Sequence, residues 1–187
     1  MIDRKPRMRR RPAFQVESLE NRCLLSVLAS TPTVPAEVHS ASQFVPLKGN
    51  FEGTAQVSFV SESANSAVYS VEITASGQFS HLGQSTLQAD EIDTIDLATG
   101  SSVVTDGSGI LTAANGDQLF LDYGGKGVPN GVGFDDTLHF TIDGGTGRFA
   151  GATGSGAVQS TDVPGANYPS VAFVAVLDGA ISSVGSN

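Results

Sequence analysis

The chain has 187 residues, of which 40% are hydrophobic and 16% charged, with a formal net charge of −9 at neutral pH and one cysteine. So acidic a protein repels nucleic acid and anionic lipid rather than binding them. No stretch approaches the ~18 consecutive apolar residues that a membrane-spanning helix requires, and the lone Cys23 excludes an internal disulfide framework.

Charge divides the chain. Residues 1–22 hold seven of the ten basic side chains and three acids, a net of +4. Residues 23–187 hold only Lys48, Lys126 and Arg148 against sixteen acids, a net of −13. The head, residues 1–29, reads as a basic targeting or export segment, with a plain basic arm as the alternative. Its apolar run, Cys23 to Ala29, is seven residues long, at the lower limit for a secretory signal. Leu19-Glu20-Asn21-Arg22-Cys23-Leu24-Leu25-Ser26 resembles the Leu-Glu-x-Arg-x-Leu-Leu-Ser motif found near the N-termini of large exported or surface proteins of planctomycete-type bacteria. That resemblance implies a protein outside the cytoplasm, whether extracellular, on the cell surface or periplasmic. Residues 30–46, with three prolines and many small polar side chains, read as a linker. Residues 47–183 are long enough for one domain with a real core, and 184–187 form a tail.

Within that domain the predicted elements are strands. In chain order they are 49–60, 66–79, 85–90, 93–97 together with 101–105, 107–113, 118–124, 137–142, 157–161 and 170–182. Phe51, Gly53, Ala55, Val57 and Phe59 share one face of the first, and Tyr69, Val71, Ile73 and Ala75 one face of the second. Asn115-Gly116 stands between two β-rich runs, which predicts a two-residue type I′ hairpin. Leu119, Leu121 and Tyr123 then fall on one face of the strand that follows. Short strands at regular spacing, with no sustained 3.6-residue period, favour a sandwich or a barrel, and closing a barrel removes exposed sheet edges.

The glycine-rich stretch after the 137–142 strand contains Gly144, Gly145, Gly147, Gly151 and Gly154, with Arg148 and Phe149 among them. Gly145-Thr-Gly147-Arg-Phe-Ala150 matches the outline of a dinucleotide fingerprint. That fingerprint works only where it opens a helix, and the glycines that follow would each cost a helix roughly 1 kcal/mol. The run is therefore read as a strand–turn–strand corner, with Phe149 anchored in the core and Arg148 paired with Asp143 or Asp117. Together, Thr112 to Leu119 and Gly144 to Gly154 resemble bacterial proteins with an allene oxide cyclase-like or dirigent-like barrel, over about residues 47–183. The resemblance implies a closed antiparallel barrel of about eight strands, often with an apolar interior and often trimeric. None of the catalytic positions of the plant enzymes in that group finds a match here, so it carries no activity over.

In the last strand both faces are apolar. Val171, Phe173, Ala175 and Leu177 can fill the barrel, leaving Val174 and Val176 outside, to be covered by a loop or the N-terminal segment or by another subunit of a homo-oligomer. Candidate ligand-binding residues are Glu72, His81, Tyr123 and His139, although His139 alternates with Leu138 and Phe140 and so faces solvent if those line the core. The histidines lack ligand spacing, so neither a metal nor a cofactor is expected. The acidic run Asp90-Glu91-Ile92-Asp93-Thr94-Ile95-Asp96 has no calcium-loop pattern, and it reads, like Asp135-Asp136, as a solvated acidic face. Two function classes follow. One is a non-catalytic module that is structural or binds a small apolar molecule; the other is a cyclase-like or dirigent-like enzyme steering a reactive intermediate in the lumen.

Overall fold

A computed structural model describes residues 43–165 and 168–182. The targeting segment, residues 30–42 of the expected linker and the tail at 184–187 lie outside the described residues. Eight strands follow in order: β1 Phe44–Glu62, β2 Ser66–Phe79, β3 Gly83–Asp96, β4 Ser102–Ala113, β5 Gln118–Pro129, β6 Phe134–Gly145, β7 Thr153–Val163 and β8 Ser170–Ser182. Each pairs antiparallel with its neighbours, and β8 returns to β1 from Phe44↔Ser182 to Gln56↔Ser170, closing the barrel. No helix among the described residues is long and apolar enough to cross a membrane.

Period-two alternation decides what is inside. Along β2, Ala67, Val71, Ala75 and Phe79 are buried while Glu72, Thr74 and Ser76 are exposed. The apolar core gathers at the end of the barrel bounded by the β2–β3, β4–β5 and β6–β7 connections. There Leu47, Leu111, Leu119, Phe149 and Ile181 are almost wholly buried, with Phe79, Leu82, Phe140, Ile142 and Leu177 around them. Phe149 sits in a short 3₁₀ turn, Gly147–Phe149, within the glycine-rich corner. Arg148 lies over its ring, 4.8 Å from guanidinium carbon to centroid, and its Nε is 3.7 Å from Asp117 Oδ2. That pair is partly exposed and beyond hydrogen-bonding distance, so it contributes ~1 kcal/mol at most.

Several elements depart from the sequence expectations. β1 begins at Phe44, inside the stretch read as linker. The expected breaks at residues 91–92 and at Asp106 do not end strands. Asp106 is instead the positive-φ residue of a bulge within β4, where the register with both β3 and β5 shifts. The Asn115-Gly116 turn is not type I′, because only Gly116 has positive φ. Four residues connect β4 to β5, and the Asn115 side chain accepts the Asp117 N–H, an Asx turn that holds Asn115 in ordinary backbone space. β7 starts at Thr153, four residues before the expected start. Its Gly156 belongs in the strand because the Phe140 ring lies against it: a β-carbon there would meet Phe140 Cε1 at 2.7 Å.

Candidate functional site

The other half of the lumen differs in kind. On β3 the inward series Leu87, Ala89 continues as Glu91 and Asp93; on β6, Asp136 precedes Leu138 and Phe140; on β7, Asp162 follows Val158 and Ser160. Four carboxylates therefore point into the barrel from three strands, above a floor of apolar side chains. They line a mouth of about 230 Å³, walled also by Tyr69, Ile95 and Tyr168. The mouth continues past Glu91, Asp136 and Asp162 into an inner hollow of about 100 Å³ among Tyr123, Leu138, Phe140 and Phe173. A larger concavity of about 580 Å³ lies on the outer wall, lined by exposed side chains such as Glu52, Gln84 and Gln159. It gathers no unusual chemistry.

The bulge in β4 shapes the site. Before it the inward residues are Ser102 and Val104; after it they are Gly107, Gly109 and Leu111, so one extra residue exchanges the strand's faces. Gly107 lies opposite Tyr123, and a β-carbon there would collide with the Tyr123 carbonyl and ring. The absent side chain lets the tyrosine lie flat against β4 with its hydroxyl toward Glu91. Asp162 is fixed differently. It accepts the Phe134 N–H at 2.9 Å, while Asn130 donates to the Asp162 carbonyl at 3.2 Å and to Asp135 Oδ1 at 3.0 Å.

Burial and mutual repulsion both disfavour ionised carboxylates here. Burial pushes Glu91 up to about 7; nearby Asp93, Asp136 and Asp162 push the same way, and Tyr123 opposes. Asp136 rises to about 7 through burial, then through Asp162, Asp93 and Asp135. Asp93 rises to about 6, again chiefly by burial, with Ser102 opposing. Asp162 is also raised by burial, partly offset by the Phe134 N–H. Tyr123 is driven far above its ordinary value by burial and by the Glu91 charge. The Tyr123 hydroxyl lowers Glu91 and the Ser102 hydroxyl lowers Asp93, as hydrogen-bonding neighbours do, yet neither pair meets the full geometry of a formed hydrogen bond. Glu91 Oε2, Asp93 Oδ1, Ser102 Oγ and Tyr123 OH are buried without a hydrogen-bond partner among the described residues.

Of the four residues singled out from sequence, only Tyr123 lies in the lumen. Glu72 is on the outer face of β2, paired across to exposed Gln56. His81 is exposed in the β2–β3 turn with Nε2 3.0 Å from the Pro46 carbonyl, and His139 is exposed on the outer face of β6. Strand alternation keeps Glu72 and His139 out of the cavity, and His81 lies in a turn at the opposite end of the barrel. The runs read as solvated acidic faces are corrected likewise. Asp90 and Asp135 do face outward, whereas Glu91, Asp93 and Asp136 turn inward. Among the described residues, no three His, Cys, Asp or Glu side chains converge closely enough to hold a metal ion.

No protein-family model and no curated protein matches the chain. Among solved structures it is similar to a pterocarpan synthase dirigent protein, at 16% identity and a TM-score of 0.45, the match covering 78% of this chain and 88% of that one.

Proposed function

We propose that the barrel is a binding module that takes one small organic molecule into its lumen, apolar body inward and polar end at the carboxylates. The observation that carries this is that Glu91, Asp93, Asp136 and Asp162 all line the lumen above an apolar floor. A purely structural barrel gains nothing from burying four acids, because each buried charge weakens the fold. The expected small apolar ligand is thereby refined to an amphipathic one. Mouth and hollow together are near the lower end of the roughly 300–1,000 Å³ usual for ligand sites, which suits a single ring with a short side chain. Phe59, Val60, Leu97, Val132 and Tyr168, exposed at the strand ends and connections of this half, give such a molecule an apolar approach. The test is a fragment screen by NMR. Shifts confined to Leu138, Phe140, Phe173 and the acid-bearing strands support the reading, and a screen of single-ring fragments that leaves these resonances unmoved removes it.

A second reading, an enzyme steering a reactive intermediate, is favoured by the burial of Glu91 and Asp136 in the lumen, which pushes both up to about 7, where a carboxyl group can both give and take a proton. Two further proposals rest on sequence. Export is supported by the basic head and its Leu-Glu-x-Arg-x-Leu-Leu-Ser segment, and N-terminal mapping of protein recovered outside the cytoplasm tests it. Self-association, as the trimer that the family resemblance implies, is supported by Val174 and Val176, which stand 44% and 53% exposed on the outer wall.

A further inference from the structure

We infer that the polar end of the lumenal ligand is an organic ammonium group, so that the barrel selects small amines over neutral or anionic molecules of the same shape; this rests on the lumenal binding reading above. The mouth collects Glu91, Asp93, Asp136 and Asp162 with no basic side chain among its lining residues. The described cations all lie elsewhere. Lys48 pairs with Asp178 on the outer wall, Lys126 is exposed on the outer face of β5, and Arg148 belongs to the glycine-rich corner at the opposite end.

A second observation points independently to a ligand. Of the five buried side-chain polar atoms without a partner among the described residues, four belong to two neighbouring pairs at the lumenal acids, Tyr123 beside Glu91 and Ser102 beside Asp93. Ser102 is 1% exposed, sits on the inward face of β4 beside Asp93, and leaves its hydroxyl unpaired. Tyr123 OH is likewise buried against Glu91. Native proteins pair nearly all such atoms, so a cluster of orphans in a cavity marks a place where a bound molecule completes the pairing. Glu91 Oε2 and Asp93 Oδ1 are acceptors and call for a donor. Ser102 and Tyr123 are hydroxyls that serve in either role.

The geometry narrows the class of donor. Among the described residues no three carboxylates come close enough together to hold a metal ion, so the charge is spread over the cavity wall rather than focused as a bare metal ion requires. An ammonium group bears three divergent N–H donors and meets that arrangement, while its carbon stem and a ring reach Leu138, Phe140 and Phe173 in the inner hollow. An anion is excluded by repulsion. A neutral alcohol leaves the four carboxylates without counter-charge.

Isothermal titration of the barrel at pH 8 with phenethylammonium and with its neutral isostere 2-phenylethanol tests this. The inference expects the amine to bind at least about tenfold more tightly, the value of one modest charge interaction. It also expects Asp136→Asn to bring the two within about threefold of each other, with Asp93→Asn as the second variant should the first fold poorly. Equal binding of both probes, unchanged by either substitution, overturns the amine inference and leaves the lumenal binding reading standing. Binding of neither probe, with the resonances of Phe140 and Phe173 unmoved, overturns both.

Discussion

Glu91→Gln should stabilise the protein at alkaline pH and do little at acidic pH. Glu91 is half-buried at the junction of mouth and hollow, with its folded-state value raised from 4.5 to about 7. The unfolded chain releases this proton near 4.5 and the folded barrel holds it until about 7. Between those values the native state binds more protons, so stability falls as pH rises. At about 1.4 kcal/mol per pH unit, the ionised side chain costs the fold about 3 kcal/mol by pH 8. Glutamine keeps the shape, carries no charge and can donate to a neighbouring carboxylate. Urea unfolding of wild type and variant at pH 4.5 and pH 8 should therefore show a gain of about 2–3 kcal/mol at pH 8 and almost none at pH 4.5. Asp93 and Asp136 shift in the same direction, so wild type itself should be more stable near pH 5 than at pH 8. A variant within about 0.5 kcal/mol of wild type at pH 8, or an equal gain at both pH values, would refute the claim that burial strains this carboxylate.

Three further outcomes follow from the same structure. Phe149→Ala empties a completely buried site beside Leu119 and Ile181 and should lose ~3 kcal/mol or more by chemical denaturation, a loss below ~1 kcal/mol contradicting its role as the corner's anchor. Gly107→Ala drives a β-carbon into Tyr123 and its carbonyl; about 1–3 kcal/mol of destabilisation is expected, together with a perturbed Tyr123 ring signal in NMR, and an unmoved ring would show that the bulge does not place it. Sedimentation of a Val174→Asp, Val176→Asp double variant tests self-association: the proposal expects the wild-type oligomer to become monomeric, and an unchanged distribution removes it.

The strands were legible because period-two alternation is strong wherever one face is buried. β2 and β8 have the bounds expected, and the inward set Leu119, Leu121, Tyr123 falls where alternation puts it. The acidic lumen was latent in the same rule. Carrying Leu87 and Ala89 forward by twos reaches Glu91 and Asp93, and stepping back from Phe140 and Leu138 reaches Asp136. Treating Asp90–Asp96 and Asp135-Asp136 as runs hid the fact that neighbours in a strand face opposite ways. Other features had no local signal. That β3, β6 and β7 bring their acids together depends on closure of the whole sheet. The bulge at Asp106 turns on one residue, and Ser102 is unremarkable until its burial and its neighbour Asp93 are known. The early start of β7 was masked by glycines, which look like turn residues but serve here to admit the ring of Phe140.

The most direct test of the acidic lumen is a carboxyl-detected NMR titration of Glu91, Asp93 and Asp136 in the folded protein. The structure predicts midpoints displaced upward, to about 7 for Glu91 and Asp136 and about 6 for Asp93. If all three instead titrate near the ordinary carboxylate value of about 4, they face water, and the site proposed around them does not exist.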